Sequence, residues 1–142
     1  MVSRYLLDTN IIAELSKQEP NAAVLARMDR LARPAAIAAT TWEECWFGAR
    51  RLPPSRRRFE LEAFLSDLVP QVLEVLPFDV AAADWLARER ARLTLEGRRP
   101  AYVDAQIAAV AATQGRVLVT RNTRDFLDFN DLRIEDWFSA EV

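Results

Sequence analysis

The side chains able to do chemistry in this sequence are acidic and widely spaced. Asp8 directly follows the apolar run Tyr5-Leu6-Leu7, and Asp104 sits near the head of the apolar stretch Ala101 to Gln114. Asn122 and Asp125 follow Val117-Leu118-Val119, and Glu44, with Glu43 beside it, comes soon after Ala35-Ala36-Ile37-Ala38. The chain has no histidine, which excludes His-ligated zinc, Ser-His-Asp and Cys-His catalysis and imidazole acid/base chemistry. Cys45 is the only cysteine, so neither an internal disulfide nor a thiolate metal cluster can form. Gly48, Gly97 and Gly115 stand too far apart for a GxGxxG turn or a phosphate-cradling GxxxxGK[ST] loop. Carboxylates remain. Three or four of them brought together repel one another, and their natural stabiliser is a hard divalent cation held by oxygen, Mg2+ or Mn2+.

Each acid also has a plainer use. Asp8, Thr9 or Asn10 can cap the helix that follows, and Glu43 or Glu44 can sit in an early helical turn where the macrodipole favours an acid. Asp104 can serve the same dipole, and Asp125 can be a turn residue. Asp104 is the hardest to dismiss, because a charge among Ala101, Val103, Ala105, Ile107 and Ala108 needs a partner if it is buried.

The elements that must position these residues alternate between strand and helix. Tyr5–Leu7 reads as a strand feeding a helix marked by Ile11, Ile12 and Leu15. A second helix after Pro20 carries Val24, Leu25, Met28 and Leu31 on one face, and Pro34 closes it before a buried strand over Ala35–Ala38. Thr40 and Thr41 are suited to cap a helix from Trp42 to about Arg51, and Pro53-Pro54 separates it from a helix through Phe59–Leu65. A third strand is expected within Val72–Phe78, then a helix over Ala81–Leu95 ended by Gly97, and a helix over Ala101–Gln114 ended by Gly115. The strand Val117–Val119 and a final one over Leu132–Ile134 complete the series. Such alternation implies an α/β sandwich with a largely parallel sheet and a ligand site beyond the carboxyl ends of its strands. The acids named above are expected at that edge.

At 142 residues, 51% hydrophobic and 28% charged, the chain has the size of one domain, expected to span residues 1–142. Its amino end reaches Asp8 before a signal-like apolar run develops, and no run is of transmembrane length, so the cytoplasm is the expected location and no membrane contact is expected. A net charge of −2 argues against non-specific coating of nucleic acid, leaving only local phosphate contacts. Arg50-Arg51 and Arg56-Arg57-Arg58, which bracket the Pro-Pro elbow, are candidates for those contacts, although a charge run beside a loop is usually a solvated face. Trp42, Trp46, Trp85, Trp137, Phe47 and Phe126 are expected to be packing residues.

Taken together, the segment Tyr5-Leu6-Leu7-Asp8-Thr9-Asn10-Ile11-Ile12-Ala13-Glu14-Leu15, the segment from Glu44 through Phe47-Gly48-Ala49-Arg50-Arg51-Leu52-Pro53, and Val75-Leu76-Pro77-Phe78-Asp79 make three ordered blocks. Asp104-Ala105-Gln106-Ile107-Ala108-Ala109 and Val119-Thr120-Arg121-Asn122-Thr123-Arg124-Asp125-Phe126 follow them. In this order and spacing the blocks resemble PIN-domain ribonucleases of the VapC/FitB-like toxin group. The resemblance implies a three-layer α/β/α sandwich with a mainly parallel central sheet, a homodimer, and an acidic pocket that uses Mg2+ or Mn2+ to hydrolyse RNA. It implies that Asp8, Glu44 and Asp104 are core acids, and its E-x-x-x-G pattern selects Glu44 over Glu43. Asn122 stands where many such domains carry an acid, and Asp125 matches an Asn-x-x-Asp-Phe variant, so the fourth function falls to either. The resemblance further implies a VapB-like antitoxin partner, with the pair able to bind operator DNA through the antitoxin.

On this reading Asp8 and Asp104 hold the principal metal, and Glu44 and Asp125 complete its shell or orient water. Asn10, Thr120, Asn122, Arg50 and Arg51 support the acids or the substrate. Two other classes fit parts of the pattern. An aspartyl phosphatase or phospho-receiver also places acids after a strand, but it needs a lysine beside the site, and the only lysine is Lys17. A catalytically inert PIN-like binding module would keep the same fold.

Overall fold

A computed structural model of the chain describes residues 4–68 and 73–139. Its five strands are β1 (Tyr5–Leu7), β2 (Ala36–Ala38), β3 (Glu74–Leu76), β4 (Val117–Val119) and β5 (Ile134–Glu135). They form one sheet in the order β3-β2-β1-β4-β5, and every pairing is parallel. The chain thus builds outward from β1 to one edge and then returns to the other side of β1. Between β1 and β4 the strand order reverses, which in an open parallel sheet opens a crevice at the carboxyl ends. The expected largely parallel sheet is therefore wholly parallel among the described residues.

The helices are α1 (Thr9–Leu15), α2 (Ala22–Asp29), α3 (Ala39–Arg50), α4 (Arg56–Leu68), α5 (Val80–Leu95) and α6 (Tyr102–Thr113). Successive strand residues supply opposite faces, the period-two rule of extended backbone. Leu6, Ala36, Ala38 and Leu118 join the core under α5 and α6, while Leu7, Ile37 and Val119 join the core shared with α1, α2 and α4. Both faces are covered, so the three central strands β2, β1 and β4 carry no charged residue and show no polar alternation. Ala105, Ala108, Ala109 and Ala111 on α6 are buried, and their small side chains let that helix lie close to the sheet. Among the described residues no helix is long and apolar enough to cross a membrane.

Several expectations shift in detail. β2 runs straight into α3, which starts at Ala39 with Ala38 as its cap and no capping side chain. Thr40 and Thr41 therefore lie inside the first turn, and the Thr40 hydroxyl instead donates to Gln106 Oε1 on α6 at 3.4 Å. Of the expected Val72–Phe78 strand only Glu74–Leu76 pairs, and Val72 lies outside the described residues. The last strand falls at Ile134–Glu135, later than expected. Trp85, Trp137 and Phe126 are core residues, but Phe47 is 62% exposed. It projects from α3 beside Trp42, Glu43, Trp46 and Arg50, which line a surface groove of about 570 Å³.

The loop after the short 3-10 helix Thr123–Phe126 is fastened to α5 by a buried acid. Glu89 Oε1 accepts from Asn130 N at 2.6 Å and from Arg92 Nη2 at 3.0 Å, and Arg92 Nη2 also donates to the Asp128 carbonyl at 2.8 Å. Arg92 hydrogen-bonds both Glu89 oxygens and holds that carboxyl below its ordinary value of 4.5. An acid depressed in the folded state stabilises the fold above its unfolded value, and that contribution disappears as the pH falls through the folded value. Glu89→Gln is therefore expected to cost about 1–3 kcal/mol at neutral pH in urea unfolding, with the deficit shrinking in acid. An unchanged midpoint at neutral pH would refute the latch.

Candidate active site

The pairing of β1 with β4 sets Leu7 opposite Val119, so the residues that follow, Asp8 and Thr120, emerge side by side at the carboxyl edge of the sheet. Asp8 N donates to the Val119 carbonyl at 2.9 Å, continuing the ladder by one rung. Both Asp8 carboxylate oxygens are committed. Oδ1 accepts from Thr9 N at 2.8 Å, capping α1, and Oδ2 accepts from the buried Thr120 hydroxyl at 2.8 Å. The capping use of Asp8 and its place in an acidic pocket therefore coexist. Asn10 Nδ2 lies 3.4 Å from Asp8 Oδ2 and 3.2 Å from Thr120 Oγ1, and Asn10 Oδ1 accepts from Arg121 N at 3.2 Å.

Glu44 enters from α3. The Thr9 hydroxyl donates to its Oε1 at 2.7 Å, tying the helix after β2 to the turn after β1. Glu43, one residue earlier, points instead to the aromatic groove. The structure thus separates two acids that spacing alone left equal. Asp104 lies in the first turn of α6, half-buried. Asp125 lies in the exposed 3-10 helix after β4, where its N–H donates to the Asn122 carbonyl at 3.0 Å, and Asn122 N donates to Thr120 Oγ1 at 3.0 Å.

These four acids feel one another. Burial, then the charges of Asp8, Asp125 and Glu44, push the Asp104 carboxyl up from 3.8 to about 6. Burial also raises Asp8, against the bonds from Thr120 and Thr9 that favour its charge. Cys45, beside Glu44, has its thiol pushed up to about 12, chiefly by burial and then by Glu44 and Asp8. Among the described residues, none of the four acids has an Arg or Lys at ion-pair distance. Nor do any three acidic or thiol side chains among them stand close enough, as they lie, to enclose an ion. Asp8 and Glu44 are turned to threonine hydroxyls instead.

The expected supporting residues divide in two. Asn10, Thr120 and Asn122 are in the acidic cluster, whereas Arg50 and Arg51 are not. They lie six and seven residues beyond Glu44, roughly 9–10 Å farther along α3 at the usual helical rise. There Arg50 stacks on Trp46 at 4.4 Å and Arg51 lies over Phe47 at 5.9 Å. Arg56 and Arg58 pair with Glu60 and Glu62 on α4. Lys17 donates to Glu14 at 2.9 Å, away from the acids, which removes the lysine that an aspartyl-phosphate site needs. Thr9 was missed as a site residue, since its capping position gave no sign of its bond to Glu44.

Residues 5–132 match the PIN domain family. The chain is 35% identical over 135 residues to the tRNA(fMet)-specific endonuclease VapC of Shigella flexneri, covering 94% of this chain and 98% of that one. In structure it resembles a chain of FitAB bound to an IR36 DNA fragment, with a TM-score of 0.85, 28% identity, and coverage of 97% and 98%. It also resembles a chain of DNA-bound VapBC from Salmonella typhimurium, with a TM-score of 0.81, 30% identity, and coverage of 96% and 99%.

A carboxyl raised by the fold makes the folded state pay for its ionisation, so the penalty is absent below the unfolded value and complete above the folded one. Asp104→Asn should therefore raise the melting temperature of chelator-stripped protein by about 3 °C near pH 8, and the gain should vanish as the pH falls from about 6 towards 4. Thermal denaturation across that range checks it, and an Asn variant less stable than the parent at alkaline pH would contradict the crowding of the acids.

Proposed function

The chain belongs to the PIN-domain family, and from that membership we propose that it is a divalent-cation-dependent endoribonuclease, the toxin of a type II toxin–antitoxin pair. The observation that carries the proposal is the gathering of Asp8, Glu44, Asp104 and Asp125, from four separate segments, at the β1–β4 crevice, with no Arg or Lys among the described residues at ion-pair distance from them. The donor set is all oxygen, which suits Mg2+ or Mn2+ and disfavours softer ions. Asp8 and Asp104 would hold the principal ion, with Glu44 and Asp125 completing its shell or orienting water.

Bound there, a hard cation supplies activation of water at neutral pH and neutralises charge growing on the scissile phosphate. The chain's own residues prepare the site. Thr120 and Thr9 fix the aim of Asp8 and Glu44, a role for which hydroxyl partners of metal-holding carboxylates are well suited. Asn10 bridges Asp8 and Thr120 and so locks the turn after β1 to the turn after β4. Asn122 is exposed at the same edge, with its side chain free to meet a phosphate. A proton on Asp104 would compete with the ion, so activity should decline as the pH falls into the acid range.

The similar structures, VapBC and FitAB complexes bound to DNA, support an antitoxin partner and operator binding by the pair. The homodimer and the RNA substrate belong to the same reading.

Asp8→Asn and Asp104→Asn should each lower cleavage of RNA in Mg2+ or Mn2+ by more than about 100-fold while the fold persists, and Thr120→Val should cost about 10–100-fold. Chelation should abolish cleavage, and calorimetry of stripped protein should show uptake of Mn2+. Activity retained in both Asn variants would refute the assignments. An active-site titration with neither ion uptake nor cleavage would favour the inert binding module.

A further inference from the structure

A pocket of four carboxylates repels a polyanion, and a single divalent ion leaves that repulsion partly in place. A cation beside the pocket would relieve what remains. Arg50 and Arg51 are elsewhere, stacked at the far end of α3, and Arg56 and Arg58 are paired on α4. Arg121 is not. It directly follows Thr120, and its N–H donates to Asn10 Oδ1, whose Nδ2 in turn contacts both Asp8 and Thr120. Its backbone is thus fixed two hydrogen bonds from Asp8.

Its side chain is exposed and rests on an aromatic platform, with the guanidinium carbon 4.6 Å from the centre of the Phe138 ring. That platform is itself held, since Phe138 N donates to Asp136 Oδ1 at 2.8 Å and the ring packs against the core under α1 and α2. Among the described residues no carboxylate lies within ion-pair distance of Arg121. The Arg121 charge helps to lower the Glu14 carboxyl across space, but the two Glu14 oxygens already accept from Lys17 Nζ and Asn21 N. A stacked guanidinium keeps its N–H edge directed outward in a fork that matches the oxygens of a phosphate.

Resting on the endoribonuclease reading above, we propose that Arg121, steadied on Phe138, is the positioning residue that grips a backbone phosphate of single-stranded RNA at the rim of the acidic pocket. It acts on binding and register, and the acids act on the reaction.

The test uses the full chain and a fluorescein-labelled single-stranded RNA oligonucleotide, with cleavage kinetics in Mn2+ and anisotropy in Ca2+ at several salt concentrations. Arg121→Gln should raise KM and Kd about 10-fold with kcat within about 3-fold, and should reduce the salt slope of log Kd by about 0.7, the value for one contact to a single strand. Arg121→Lys should keep the salt slope but recover only part of the affinity, and Phe138→Leu should weaken binding about 3-fold. Melting temperatures of the two Arg121 variants should stay within about 2 °C of the parent, as usual for exposed substitutions. Unchanged KM, Kd and salt slope in Arg121→Gln, or an affinity loss that follows a fall in melting temperature, would overturn the proposal. A parent protein that binds RNA without cleaving it sinks the nuclease reading alone, and one that binds no RNA sinks both.

Discussion

The parallel pairing of β1 with β4 is the constraint on which the site depends. With Leu7 facing Val119, the next residue of each strand must leave the sheet at the same height, and Asp8 and Thr120 become neighbours across 112 positions of sequence. Slipping that register by one residue would turn Asp8 into the core and bring an aliphatic side chain to the edge. The apolar commitment on both faces prevents the slip, because Leu6 and Leu118 serve one core while Leu7 and Val119 serve the other. Packing energy spent in the interior thereby sets the position of a polar contact at the rim.

What the register assembles is unfavourable by itself. Asp8 is buried and raised in spite of the bonds from Thr120 and Thr9, and Asp104 is raised by burial and by three acidic neighbours. Structures tolerate such local cost when the surroundings over-determine it. Here the surroundings include Thr9 and Thr120, Asn10, and the Glu89–Arg92 fastening that holds the segment after the 3-10 helix. A protein selected only for stability would place neutral side chains at these positions, and the persistence of charge there is the physical argument for a cation.

The sequence made the strand–helix alternation and the carboxyl-edge location of the acids readable, because Tyr5–Leu7, Ala35–Ala38 and Val117–Val119 are short apolar runs bounded by polar residues. It was less informative about direction. Arg50 and Arg51 are close to Glu44 in number, but the helix carries them away from the pocket, and Arg121 was overshadowed by these denser clusters. Glu43 and Glu44 were equal on spacing, and the choice depended on family likeness until the Thr9 bond separated them. Thr40 and Thr41 have the chemistry of caps, yet the strand runs straight into the helix, so the capping position falls on Ala38 and both threonines lie inside the first turn. The sequence reads Phe47 as a packing residue because aromatic residues usually are, and nothing local to it shows that it stands exposed on α3.

α3 has two working sides. Glu44 meets Thr9 on one, and Trp42, Trp46 and Phe47 line an open groove on the other. Twelve hydrogen-bonded residues carry both surfaces, so the spacing between the aromatic groove and the carboxylate at the crevice is set by the helix backbone itself.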